Sequence, residues 1–183
     1  MRRIVWIALA AALVLAPVGW VVSDHLEAQN EFCTSCHLDA TTPLHTGLRR
    51  NFESAPAVNM ASAHFAHDQK FRCIDCHRGA SFGNRVRVKL LAARDALVYL
   101  TGRFDEPTEM RHPLWNEDCT QCHRKYEPER DADFHAIDVH NLPNFRLNCV
   151  QCHQAHPTGR SGELAWLARE PLLEQCRNCH EEF

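Results

Sequence analysis

The sequence predicts a mostly α-helical chain with extensive loops: one N-terminal transmembrane helix, then a compact domain whose interior is not built from ordinary side chains. Three observations carry this expectation. Residues 4–22 contain no charged side chain. All ten cysteines, and five of the thirteen histidines, recur in one short frame, Cys-x-x-Cys-His, repeated five times. In the second half Pro107, Pro113, Pro128, Pro143 and Pro157 punctuate the chain, which fits short helices joined by loops with little or no sheet.

The chain opens MRRIVWIALAAALVLAPVGWVVSDH. Its 19 uncharged residues from Ile4 to Val22 nearly match the length a helix needs to cross a bilayer. Arg2 and Arg3 precede them, which puts the N-terminus in the cytoplasm and everything after Val22 outside. Trp6 and Trp20 stand near the two ends, where interfacial anchors belong. A cleaved secretory signal is the rival reading, because Val14-Leu15-Ala16 ends in a small residue. Pro17 follows directly and opposes cleavage, and the apolar run continues to Val22. The expectation is an uncleaved anchor over residues 1–24 and an extramembrane domain over 25–183, within the length prior for one domain.

The five frames are CTSCH (Cys33, Cys36, His37), CIDCH (Cys73, Cys76, His77), CTQCH (Cys119, Cys122, His123), CVQCH (Cys149, Cys152, His153) and CRNCH (Cys176, Cys179, His180). Cys-x-x-Cys followed at once by His is the signature of covalent c-type haem attachment. Each thiol adds across one haem vinyl group and the adjacent imidazole becomes the proximal iron ligand. A zinc reading needs two Cys-x-x-Cys pairs per site, so five pairs leave one over, and it does not explain the histidine. A disulfide framework is equally silent about it. The expected cofactors are therefore five covalently bound haem c groups.

Five haems leave roughly 37 residues of polypeptide for each, too few for a conventional apolar interior, so the porphyrins are expected to be the core. The frames begin 40, 46, 30 and 27 residues apart, which excludes a fixed solenoid period. The formal net charge is −3 before any haem propionate is added, which excludes a nucleic-acid partner.

With five proximal histidines assigned, eight remain: His25, His45, His64, His67, His112, His135, His140 and His156. Five six-coordinate irons with two imidazoles each need five distal ligands, so the supply suffices and low-spin electron transfer is the default expectation. The leading distal candidates are His64 and His67 in HFAH, whose three-residue offset puts both on one side of a helical turn, and His156 in CHQAHP. His112, His135 and His140 follow, then His45. His25 lies at the membrane surface.

Between the frames, Phe82, Val86, Leu90, Ala93, Leu97 and Leu100 recur at the period of one helical face. Arg85, Lys89 and Arg94 decorate the remainder, so the bland reading is a packing helix with a solvated basic side. The charged stretch 125–135 reads as a solvated linker or a docking surface. Residues 161–175, SGELAWLAREPLLEQ, predict a helix with Ser161 as N-cap and Pro171 ending or kinking it, with Leu164, Leu167 and Leu172 over the last haem.

The stretch from Phe71 to His123 resembles the NapC/NirT family of membrane-anchored multihaem cytochromes. The resemblance rests on a haem frame followed by Phe82-Gly83, a basic amphipathic helix over Arg85 to Leu100, a Leu100-Thr101-Gly102 turn and the next frame. EFCTSCH close after the anchor and CVQCHQAH are similar to family motifs too, so the resemblance covers roughly residues 1–156. It implies a single-pass protein of the bacterial inner membrane with its haem domain in the periplasm. It further implies that electrons come from the membrane quinol pool, menaquinol or ubiquinol, and leave to a periplasmic oxidoreductase or cytochrome. In the family this helix lies against the first haem and contributes to quinol binding, and the matching residues are Lys89 and Asp95. A carboxylate that takes a proton and a cation that holds the quinol oxygen suit that chemistry.

Two departures stand out. Family members often carry Met two residues after the first haem-binding His, whereas Leu38 and Asp39 follow His37, leaving Asp95, His45, another His or nothing on the distal side of the first haem. The family pattern accounts for four frames over 25–156, and CRNCH in 157–183 is a fifth, extending the redox centres toward a soluble partner. The expected function is quinol oxidation with relay through five haems. Its rivals are a relay subunit of a larger respiratory complex without a quinol site of its own, and a small oxyanion reductase.

Overall fold

The computed structural model describes residues 2–106, 110, 113–123, 148–157 and 166–182. The described residues are helical and contain no strand; a single antiparallel bridge joins His37 to Pro43. The helices are α1 (Arg2–Glu27), α2 (Asn30–Cys33), α3 (Thr46–Phe52), α4 (Met60–His67), α5 (Cys73–His77), α6 (Phe82–Leu100), α7 (Asn116–Thr120), α8 (Cys149–Cys152) and α9 (Arg169–Arg177).

At 26 residues α1 is about 39 Å long, enough to cross the roughly 30 Å hydrocarbon layer. Apart from half-buried Trp20, its large apolar side chains from Ile4 to Val22 are exposed, whereas the core helix of a water-soluble protein would bury one face. That is compatible with membrane anchoring.

α6 matches the expected amphipathic helix nearly residue for residue, and its ends explain why. The Ser81 hydroxyl accepts the Asn84 amide at 3.2 Å as an N-cap. At the other end Gly102, at φ 68°, donates to the Tyr99 carbonyl and Arg103 donates to the Val98 carbonyl, the paired bonds of a Schellman stop. The Leu-Thr-Gly turn of the sequence is this stop. The sides of the helix differ from the packing reading. The apolar face is exposed, while Arg85 and Lys89 pair with Asp24 and Glu27 at the end of α1. The acidic exit of the anchor, which periodicity along α6 cannot see, takes up the basic side.

Residues 161–165 lie outside the described residues, and the rest of the expected 161–175 helix is revised. Trp166 takes a left-handed φ of 65°, Ala168 is the N-cap, and the helix runs from Arg169 to Arg177. Pro171 therefore sits in the first turn, where a missing N–H costs no hydrogen bond, and neither ends nor kinks the helix.

Among the described residues only Leu44, Phe52 and Ala168 are buried apolar groups; Phe52 packs on Phe65 with ring centres 5.0 Å apart. Buried polar side chains hold the loops together instead. Asn59 and Ser62 form a fully buried capping box at the start of α4, and the Asn59 amide reaches the His156 carbonyl at 2.8 Å. Buried Asn30 accepts the Cys73 amide at 3.0 Å, Asn116 accepts the Cys149 amide at 2.8 Å, and buried Asp118 accepts the amides of Ala80 at 2.6 Å and Trp115 at 3.0 Å. The Asn30–Cys73, Asp118–Ala80 and Asn116–Cys149 bonds each join one Cys-x-x-Cys-His segment to the next.

Candidate haem attachment and ligand sites

Four of the five frames form a single helical turn. Cys73–His77 is α5, and in the third, fourth and fifth frames the histidine amide donates to the carbonyl of the first cysteine at 3.0, 2.8 and 2.9 Å. That turn places both sulfurs and the imidazole on one short stretch of backbone, as attachment to a single flat ring requires.

The first frame is different. Helix α2 stops at Cys33, the Cys36 carbonyl accepts the Leu44 amide at 2.9 Å, and His37 is held by Tyr99. The Tyr99 hydroxyl accepts the His37 amide and donates to the His37 carbonyl, both at 2.9 Å. Tyr99 was not singled out by its sequence. The available signal was its position one helical turn beyond Asp95, on the side of α6 opposite the apolar stripe. His37, Leu38, Tyr99, Leu100, Gly102 and Phe104 line a cavity of about 380 Å³ beside this frame.

The five segments contact one another in chain order: α2 against α5, α5 against α7, α7 against α8, and α8 against α9. Cysteines of neighbouring frames come close enough to perturb each other: Cys33 with Cys73, Cys76 with Cys122, Cys119 with Cys149, and Cys152 with Cys176. All ten are free of disulfides. Burial pushes the Cys73 and Cys76 thiols up to about 11, and a sulfur-to-sulfur hydrogen bond with Cys149 raises Cys119 further. Among the described residues no three His, Cys, Asp or Glu side chains converge as a metal cage.

Two histidine pairs have the spacing of axial ligands. His77 and His156 have ring centres 6.1 Å apart and planes 18° apart; His64 and His123 are 6.0 Å apart and nearly perpendicular, at 89°. An iron bonded at about 2 Å to an imidazole nitrogen on each face, with each ring centre about 1 Å further out, separates the centres by roughly 6 Å. Burial, then the neighbouring His156 and His45, push His77 down to about 4, and burial lowers His156, so both rings are the neutral form that ligates. His156 Nδ1 is buried without a hydrogen-bond partner, a vacancy in the polar accounting that a ligand role explains. His64 Nδ1 faces the Met60 carbonyl at 2.8 Å, so Nε2 is the ring nitrogen left for a ligand role.

The other candidates fare differently. His67 is exposed at the end of α4. His45 takes a left-handed φ of 56°, and one Glu106 carboxylate oxygen accepts both its backbone amide at 2.8 Å and its ring Nδ1 at 2.9 Å. Metal-ligating imidazoles characteristically donate their second ring nitrogen to a carboxylate. His25 is exposed on the last turn of α1. His112, His135 and His140 lie outside the described residues.

Lys89 and Asp95 sit six residues apart on α6, hence on different sides of it. Lys89 Nζ donates to Ser23 at 2.6 Å and to Glu27 at 3.0 Å, pairs with Asp24 at 2.8 Å, and lies 5.2 Å from the Trp20 ring centre. Asp95 shares the side of α6 that carries Tyr99 to the first frame.

The chain is 23% identical over 155 residues to a tetraheme cytochrome-c type protein of Allochromatium vinosum, covering 74% of this chain and 77% of that one. It is also 23% identical over 175 residues to the cytochrome c-type protein NapC of Haemophilus influenzae, covering 80% and 79%. No family model and no solved structure matches. Together with the repeated frame, these similarities support a NapC-like multihaem c-type cytochrome, an electron-transfer protein carrying covalent haem c.

Proposed function

We propose that this chain is a pentahaem cytochrome anchored in the inner membrane by α1, that it oxidises quinol on its periplasmic side and that it delivers electrons to a periplasmic redox partner. The single observation that carries the reading is the unbroken contact order of the five attachment segments, from the one beside the anchor to the one on α9. Bound haem supplies reversible one-electron chemistry. The polypeptide supplies attachment, axial ligands and spacing. His37, His77, His123, His153 and His180 are the proximal ligands in this reading, with His156 opposite His77 and His64 opposite His123. His45, oriented by Glu106, is a further axial candidate.

Quinol entry belongs by the first frame, where Asp95 lies one turn from Tyr99 and can accept a proton. One observation favours the rival relay subunit with no quinol site. Lys89 is 12% exposed and already engaged by two carboxylates and a hydroxyl, so its charge is committed to the anchor.

The test is anaerobic addition of a reduced quinol analogue to the purified chain in detergent, following reduced c-haem absorbance. Rapid reduction that Asp95→Asn slows at least tenfold supports the quinol dehydrogenase. If dithionite reduces every haem while quinol reduces none, the chain is a relay. Iron and haem quantification per polypeptide checks the count of five.

A further inference from the structure

We propose that the exposed apolar face of α6 rests in the lipid surface beside the anchor, giving the haem domain a second contact with the bilayer. The inference rests on the reading of α1 as a membrane anchor.

At 100° per residue, Phe82, Leu90, Leu97 and Leu100 fall within a sector of about 80°. They are 80%, 67%, 65% and 79% exposed. This is one continuous stripe along a helix about 28 Å long, not scattered apolar side chains of the ordinary kind. The opposite side carries Tyr99 to the first attachment loop, so that loop reaches the stripe at its Leu100 end and leaves Phe82, Leu90 and Leu97 exposed.

What lies next to the stripe identifies its occupant. Phe82 packs on Trp20 with ring centres 6.2 Å apart. Trp20 closes the apolar run of α1, the depth at which tryptophan marks the membrane–water boundary. Arg85 and Lys89 reach α1 only between Trp20 and Glu27, by side chains rather than by helices running alongside. Helix α6 therefore meets the anchor at headgroup depth. Arg94 borders the stripe on one edge, and α6 as a whole carries four basic residues against one acidic, two of the four, Arg85 and Lys89, being held by Asp24 and Glu27 of the anchor. An apolar face with a basic edge is the arrangement of a helix lying in an anionic lipid interface. A soluble partner would have to displace headgroups to reach the same face.

The full-length holoprotein would be reconstituted in vesicles of phosphatidylethanolamine and phosphatidylglycerol doped with a diazirine-bearing lipid, irradiated, and its adducts mapped by mass spectrometry. Adducts are expected on α1 and on Leu90, Leu97 and Leu100 of α6. Leu90→Gln with Leu97→Gln should reduce the α6 adducts several-fold while those on α1 persist and haem content is unchanged. Adducts confined to α1 overturn the proposal, as do crosslinks joining α6 to a second copy. Absence of adducts from α1 itself overturns the anchor reading beneath it.

Discussion

Tyr99 holds both polar groups of one backbone residue, and that residue is the histidine of the first attachment frame. Tyr99→Phe removes both bonds, a net loss of about 2 kcal/mol at roughly 1 kcal/mol each. Spectroelectrochemical titration is expected to show a shifted potential for one haem and unchanged potentials for the rest. An unchanged titration would detach Tyr99 from the first site. Removing His156 tests ligand pairing in the same direct way. His156→Ala should convert one centre from low to high spin, seen by electron paramagnetic resonance, and Glu106→Gln should perturb a different centre if His45 ligates. The ten cysteines and five adjacent histidines were legible in the sequence because attachment chemistry is local, confined to five residues. The proximity of the two histidine pairs was not, because His77 meets His156 and His64 meets His123 only through the fold, and nothing near either histidine marks its partner.

At the scale of elements, α6 was legible because its signals agree: an apolar period, a serine cap and a glycine stop. Its environment was not, since the partners of Arg85 and Lys89 lie roughly 60 residues earlier. Lys89 is a case where structural and functional roles make different predictions. Lys89→Gln leaves Glu27, 14% exposed, with Arg85 alone, and is expected to cost about 1–2 kcal/mol, lowering Tm by roughly 2–8 °C. A lysine needed only for quinol would instead slow quinol-driven reduction with Tm unchanged. Differential scanning calorimetry and the reduction assay on one preparation separate the two. The turn before α6 is equally exacting. Gly79 sits at φ 79° between the second frame and α6, and a Cβ there would lie 2.7 Å from the Asn84 carbonyl carbon and 2.9 Å from the Arg85 nitrogen. Both contacts are backbone, so Gly79→Ala is expected to destabilise the domain by about 2–3 kcal/mol, measured as a lower midpoint in urea.

For the whole molecule, the contact order of the attachment segments turns topology into a kinetic prediction. Each attachment helix packs against the next in sequence, so the third frame, on α7, stands between α5 and α8 in that order, while His156, three residues past the fourth frame, also lies against His77 of the second. A branched arrangement would bypass it. The fold places His64 opposite His123, which makes the third site addressable by one substitution. His64→Met exchanges imidazole for thioether, and methionine ligation raises haem potential, here by an expected few hundred millivolts given the range that axial ligands span. A high-potential site in mid-series holds the electron it receives. Stopped-flow reduction by quinol should then show early phases at the wild-type rate and late phases slowed at least tenfold, with the methionine–iron charge-transfer band verifying ligation. Wild-type late phases in a protein that has that band would mean electrons reach the last two frames without passing the third. The contact of His77 with His156 is the route such a bypass would take, and the ties through α7 favour the serial path. Asp118 and Asn116, both in α7, tie the second frame to the third and the third to the fourth by backbone-to-side-chain hydrogen bonds.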